Sequence, residues 1–307
     1  MNKFDEYSKK IFSVFLSEKS KEKGEKFILF IAISSFVIHL GIILIANLSF
    51  FPALIQNYPN LSNPISVIYT PFSFVLIYEF YLLIYYLPKS FTTYIGKQYE
   101  IVTLIIIRRL FKDLSNLEIS SDWFNLKNDL QFTYDILSTI LLFFLIYVFY
   151  ELAKRNYRDV RINQRQVPQS VISFINLKKV IAIFLVPLLI LMVSYNSIHW
   201  VLHATSTSSA IVKDVKNFNN IFFYDFFTVL ILVDVLLLLL SFLHTDKFHK
   251  VIRNSGFIIS TILLRFSFTT EGLMSSALTI LAVIFGILLL FIHNLYDRGE
   301  INFPMED

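Results

Sequence analysis

Long apolar runs alternate with short polar segments along this 307-residue chain. Each of the longest runs holds about 20 apolar residues, the length that an α-helix needs to cross the hydrocarbon core of a bilayer. The sequence therefore predicts an all-α, polytopic integral membrane helix bundle over 27–296, between a hydrophilic N-terminal segment, 1–26, and a polar tail, 297–307. Six spans are clear, at about 27–51, 66–88, 131–153, 177–201, 221–244 and 273–296.

Two further segments leave the span count between six and eight. Segment 91–117 has a short apolar core with charges on both sides, and segment 256–272 is a short apolar helix that ends in a polar step. In a six-span layout, the first lies on the membrane surface and the second dips in and returns as a re-entrant segment. In an eight-span layout, both cross.

The distribution of Lys and Arg favours eight crossings. Basic loops collect on the cytoplasmic side of membrane proteins. The most basic loop, 154–179, joins the other basic segments on that side only if both doubtful segments cross. We therefore expect a multi-pass protein of the plasma (inner) membrane, with both termini cytoplasmic.

Composition agrees with this class and narrows the chemistry. Charged residues make up 16% of the chain, against about 25% in ordinary soluble proteins. There is no cysteine, which excludes disulfides and thiolate metal sites. The net charge of +4 gathers in loops, so it indicates topology and not binding to nucleic acid. We find no phosphate loop, zinc motif or nucleophile–base arrangement, and we predict no cofactor, metal site or catalytic residue.

Four ionisable residues lie near the middle of apolar stretches: His39, Glu79, Asp234 and Arg265. A charge at the bilayer centre costs about 2.5–3.5 kcal/mol even on lenient scales, so such residues are usually paired or functional. His39 and Glu79 lie at similar depths of adjacent antiparallel spans. They could exchange a proton, or form a hydrogen bond that orients the two helices. Asp234 and Arg265 are predicted to form a salt bridge that acts as a gate or a structural clamp.

A second set of charges belongs to segment 91–117. If this segment crosses, Arg108, Arg109 and Lys112 need partners, and Asp135 at the start of the next span is the nearest candidate in the sequence. The three cations could sense the membrane potential or form a basic collar at the membrane surface.

The polar step Thr269-Thr270-Glu271-Gly272 lies between a short and a long apolar helix. This outline is typical of a re-entrant pore loop. The step resembles the Thr-x-Glu-Gly filter of calcium-type voltage-gated cation channels, and the resemblance implies that Glu271 would help to bind a cation. A tight hairpin turn with Gly272 at the bend would explain the same residues.

Together these features predict an ion channel or an ion-coupled transporter, in which buried charges line or gate a path for protons or for monovalent or divalent cations. We expect a homo-oligomer whose other partner is the lipid bilayer. Two alternatives stay open. One is a non-conducting scaffold subunit that docks a partner through loop 154–179. The other is an intramembrane lipid-modifying enzyme.

Overall fold

The protein is a bundle of long helices. The computed structural model describes residues 10–45, 67–114, 127–162, 169–206, 211–243, 248–270 and 272–297. A short helical segment, 10–15, precedes eight long helices in these ranges. We number them α1 (Glu18–Ile45), α2 (Tyr69–Tyr86), α3 (Phe91–Leu114), α4 (Lys127–Ile162), α5 (Gln169–Ser206), α6 (Ile211–Phe242), α7 (Phe248–Thr269) and α8 (Leu273–Asp297). The described residues contain no strand, and six of the helices are long and apolar enough to span a membrane. The predicted polytopic all-α fold is confirmed.

Both doubtful segments form long helices. Helix α3 has 24 residues, and α7 has 22. At 1.5 Å per residue, α7 is about 33 Å long, which suffices to cross the hydrocarbon core. It therefore differs from the short re-entrant segment considered for 256–272. The difference arises because α7 begins at Phe248, so that the basic residues Lys250 and Arg253 belong to its first turns and not to a loop.

The chain forms two compact units. Unit 1 comprises Met1–Tyr85, Arg108–Phe132 and Lys179–Val229. Unit 2 comprises Tyr86–Ile107, Thr133–Lys178 and Leu230–Asp307. Helices α3, α4, α5 and α6 each contribute residues to both units, whereas α7 and α8 belong to unit 2.

Helix α3 is the interior helix of unit 2. Its side chains contact every other helix of that unit: Gln98 contacts Asp234 of α6, Tyr99 contacts Ser260 of α7 and approaches Gly286 of α8, Glu100 contacts Tyr150 of α4, and Phe91 contacts Lys178 of α5. The polar residues that weaken its hydropathy thus face protein. A helix in this position can hold groups that lipid would reject.

Helices α7 and α8 form an antiparallel hairpin. Gly272 adopts φ 67°, a left-handed conformation that glycine enters without steric cost. Its carbonyl accepts hydrogen bonds from the backbone N–H of Ser275 at 3.1 Å and of Ser276 at 3.5 Å, which starts α8. Small residues then let the two helices approach closely. On α8 the buried small residues are Ser275, Ser276, Thr279, Ala282 and Gly286. The hairpin-turn interpretation of this segment is confirmed.

In unit 1, α1 and α2 pack antiparallel. The Tyr78 hydroxyl donates to the carbonyl of Lys21 at 3.3 Å, and the Tyr85 hydroxyl donates to Glu18. Further along the pair, His39 meets Thr70. The opposite face of α1 exposes apolar side chains at helical spacing, as a lipid-facing helix requires: Phe27, Phe30, Ile33, Val37 and Ile38.

Candidate functional site

The carboxylate of Asp234 is the centre of a polar cluster inside unit 2. Asp234 lies in the apolar C-terminal half of α6 and is 1% exposed. The Gln98 amide nitrogen donates to its Oδ2 at 3.1 Å. Its other oxygen, Oδ1, makes no hydrogen bond with any described residue. One carboxylate oxygen is therefore held by an amide, while the other has no geometrically normal hydrogen bond among the described residues.

A phenol and an ammonium group complete the cluster. The Tyr94 hydroxyl lies beside Asp234 and Gln98, but it makes no hydrogen bond of normal geometry among the described residues. Lys178 supplies the positive charge that acts on Asp234. The lysine is 2% exposed, its Nζ donates to the carbonyl of Lys89 at 3.0 Å, and it lies 4.2 Å from the ring centroid of Phe91. We call Tyr94, Gln98, Lys178 and Asp234 the Asp234 cluster.

Helix periodicity explains why α3 contributes two members. Tyr94 and Gln98 are four residues apart, so they lie one above the other on the same helix face. Lys178 arrives from α5, where its ammonium satisfies the carbonyl of Lys89 in the turn before α3 and lies over an aromatic ring. These contacts compensate part of the cost of removing an ammonium group from water.

Lys178 is a cation whose charge acts on Asp234, and the sequence did not point to it. The sequence suggested Arg265, which lies half-buried on α7 and makes interactions of its own. The salt bridge between Asp234 and Arg265 stays a prediction. Lys178 had been counted among the cations of loop 154–179, because it comes at the start of an apolar run. Because Lys178 is buried, it cannot belong to the docking surface that was considered for loop 154–179. Residues 163–168 of that loop lie outside the described residues.

His39 and Glu79 have different partners within unit 1. His39 Nδ1 and Thr70 Oγ1 lie 2.6 Å apart. Glu79 is 7% exposed, and the charge that acts on it is Arg108. Nine residues separate Thr70 from Glu79, about 13 Å along α2. His39 therefore lies near Thr70 at the start of α2, and Glu79 lies more than two helical turns further along that helix.

The remaining predicted residues have diverse environments. Asp135 is fully buried in unit 2 and accepts a hydrogen bond from Ser276 Oγ at 3.2 Å. Arg108 is half-buried, with Nη1 3.5 Å from the carbonyl of Phe72, and Arg109 is also half-buried. Lys112 lies on α3, where only its backbone is described, and Glu271 lies outside the described residues.

Sequence reasoning missed Tyr94, Gln98 and Lys178. Uncharged Tyr and Gln carry little weight in a search for buried charges, and Lys178 looked like a loop residue. One signal was present in the sequence. Tyr94 and Gln98 are four residues apart, the spacing expected for two polar residues on one protein-facing side of a helix.

Comparisons with protein-family models, with curated proteins and with solved structures found no match to this chain. The channel-filter resemblance of Thr269–Gly272 therefore stays a prediction.

Proposed function

We propose that this protein is an ion-coupled transporter in which Asp234 is the ion-exchanging carboxylate. The observation that carries the proposal is the state of that side chain. Asp234 is buried in the apolar C-terminal half of α6, its Oδ2 accepts a hydrogen bond from Gln98, and its Oδ1 has no geometrically normal hydrogen bond among the described residues. Ionisable groups at such positions are costly, and in transport proteins they form ion and proton relays.

The proton is the ion that suits this site best. Hard cations such as Ca²⁺ take six to eight oxygen ligands. Near Asp234, the described oxygen donors are few, and Lys178 adds a positive charge that opposes a metal cation. A proton needs only one carboxylate oxygen, and Oδ1 provides it.

Lys178 interacts with both charge states of the site. When Asp234 is ionised, the ammonium of Lys178 compensates its charge across the cluster. When Asp234 binds a proton, the carboxylic acid can donate a hydrogen bond from Oδ1, while Lys178 keeps its hydrogen bond to the carbonyl of Lys89. Protonation of Asp234 therefore removes the negative charge that acts on Lys178, and the ammonium then keeps only its hydrogen bond to the carbonyl of Lys89 and its contact with the Phe91 ring.

Two measurements test the proposal. Proteoliposomes that contain a pH-sensitive dye report proton influx under an imposed K⁺ diffusion potential, and we expect Asp234→Asn to reduce the influx to that of protein-free vesicles. Asp225→Asn is the matched control: it is the same substitution nine residues earlier in α6, at an exposed side chain, and it should retain the wild-type rate.

The second measurement needs no transport substrate. Infrared difference spectra recorded across a pH step should contain a carboxylic acid C=O band that is absent in Asp234→Asn and present in Asp225→Asn. Wild-type protein that gives neither proton influx nor such a band would refute the proposal. Flux that persists unchanged in Asp234→Asn would remove this residue from the ion path and would favour a channel lined by other residues.

A further inference from the structure

A cluster of two histidines and one aspartate closes the open end of the α7–α8 hairpin. His249 is in the first turn of α7, and His293 and Asp297 are in the last turns of α8. Because the helices are antiparallel, these turns are adjacent. His249 Nε2 is 3.1 Å from Asp297 Oδ1, and His293 Nε2 is 3.3 Å from Asp297 Oδ2. One ligand atom from each residue lies within 4.8 Å of the others.

These distances suit a shared metal ion. Zinc bonds to imidazole nitrogen and carboxylate oxygen are about 2.0–2.2 Å long, which places tetrahedral ligand atoms about 3.4 Å apart. Each imidazole Nε2 lies near that distance from one oxygen of Asp297, His249 from Oδ1 at 3.1 Å and His293 from Oδ2 at 3.3 Å, and a set with one atom from each residue lies within 4.8 Å. Two imidazoles and a carboxylate are ligands of Zn²⁺ and of other first-row divalent ions.

We propose that His249, His293 and Asp297 bind one first-row divalent transition-metal ion, such as Zn²⁺. Asp297 is partly exposed, with 38% of its side chain accessible, so the site can exchange ions with water. His293 is 2% exposed, which fixes the orientation of its ring. The bound ion would join the start of α7 to the end of α8, opposite the Gly272 turn. This inference is independent of the transport proposal.

Arg253 competes with the metal for one ligand. Its Nη1 is 2.7 Å from His293 Nε2, and its Nε and Nη2 donate to Asn254 Oδ1 at 3.2 and 3.0 Å. A guanidinium group only donates hydrogen bonds, so Nε2 accepts and carries the lone pair that a metal would use. Metal binding at Nε2 must therefore displace Nη1. Lys250 adds positive charge near the same ring. We infer that Arg253 limits the metal affinity of the site.

Zinc titration of the full-length, detergent-solubilised protein tests the site, once any histidine tag has been removed and bound metal has been stripped with a chelator. Competition with a chromophoric chelator gives the stoichiometry and affinity. We expect one Zn²⁺ per chain, and an affinity at least about tenfold lower in His293→Gln and in Asp297→Asn, as even residues that only support metal ligands produce such losses. Arg253→Gln should instead bind Zn²⁺ more tightly.

His39→Gln is the matched control, because it removes a histidine of unit 1 that meets Thr70. Its zinc affinity should equal that of the wild type. Absorption of Co²⁺-loaded protein in the visible range gives a second readout, because tetrahedral coordination produces strong bands that His293→Gln should abolish. Size-exclusion profiles identify any variant that fails to fold. If a ligand variant does not fold, the zinc affinity of Arg253→Gln tests the site in its place. The proposal is overturned if wild-type protein binds no Zn²⁺, if the ligand variants bind it as the wild type does, or if Arg253→Gln does not tighten binding.

Discussion

Substitution of Gly286 by alanine should disrupt the junction of α3, α7 and α8. A Cβ atom at Gly286 would lie 1.8 Å from Tyr99 Oη and 3.0 Å from Tyr99 Cζ. Tyr99 is fully buried, and its hydroxyl is 2.7 Å from Ser260 Oγ. Ser260 in turn donates to the carbonyl of Ala282 at 2.7 Å. The tyrosine cannot stay where it is, because the hydroxyl must retreat by about 1.5 Å or more to reach ordinary contact distance.

The expected loss follows from three contributions. Overpacking of a well-packed interior costs about 1–3 kcal/mol. Loss of the hydrogen bond between Tyr99 and Ser260 leaves a buried hydroxyl unsatisfied, at a cost of about 1–3 kcal/mol. Replacement of glycine by alanine inside a helix recovers at most about 1 kcal/mol. We therefore expect Gly286→Ala to lower the free energy of unfolding by about 3 kcal/mol.

Equilibrium unfolding in mixed detergent micelles, followed by circular dichroism, measures this free energy. Gly41→Ala is the matched control, because a Cβ there meets nothing within 4 Å, and we expect it to be neutral or slightly stabilising. Gly256→Ala should cost less than Gly286→Ala. Its Cβ would lie 1.8 Å from Leu289 Cδ1, the end of a flexible side chain that can change rotamer without breaking a hydrogen bond.

A double mutant isolates the cause. Tyr99→Phe removes the atom that Gly286→Ala would hit, while Ser260 keeps its bond to the carbonyl of Ala282. The two substitutions together should therefore cost at least about 1 kcal/mol less than the sum of the single costs. Additive costs, or a Gly286→Ala variant as stable as Gly41→Ala, would refute the close approach of these three helices.

Three further predictions concern single contacts. His39→Ala and Thr70→Ala should be coupled by about 0.6 kcal/mol, because one hydrogen bond of 2.6 Å joins the two side chains. A double-mutant cycle in the same unfolding assay measures this coupling, and additive costs would contradict the bond. Lys178→Gln should cost about 1–3 kcal/mol because a buried ammonium loses its hydrogen bond to the carbonyl of Lys89 and its contact with the Phe91 ring. Lys179→Gln, at a half-buried residue whose ammonium is 5.6 Å from an aromatic ring centroid, should cost less than about 1 kcal/mol, and equal costs would contradict the special role of Lys178. Asn294→Leu should lower the thermal midpoint because its amide donates at 2.9 Å to a backbone carbonyl of α4, and a midpoint equal to that of the wild type would show that this bond contributes nothing.

The sequence by itself determined where the apolar helices are, but not where each helix begins and ends: α7, for example, begins at Phe248. Lipid acts on each segment separately. A run of about 20 apolar residues forms a helix in which every backbone N–H and C=O group can be hydrogen-bonded within the segment, and its apolar side chains keep it in the hydrocarbon. Local chemistry likewise fixed the turn at Gly272, where a left-handed conformation is required. The same local reasoning could not decide segment 91–117, because its weak hydropathy is explained only by its interior position in unit 2.

Tertiary structure decided which buried polar groups meet. Asp234 is buried as its position in an apolar run suggested, and the groups that act on it include Tyr94, Gln98 and Lys178, none of which the sequence pointed to. His39 likewise meets Thr70. Pairing depends on the rotation and relative height of neighbouring helices, which follow from the fit of side chains such as Gly286 against Tyr99 and not from hydrophobicity. Since lipid rewards only apolar surface, hydropathy specifies which residues enter the membrane, while packing between helices selects their partners.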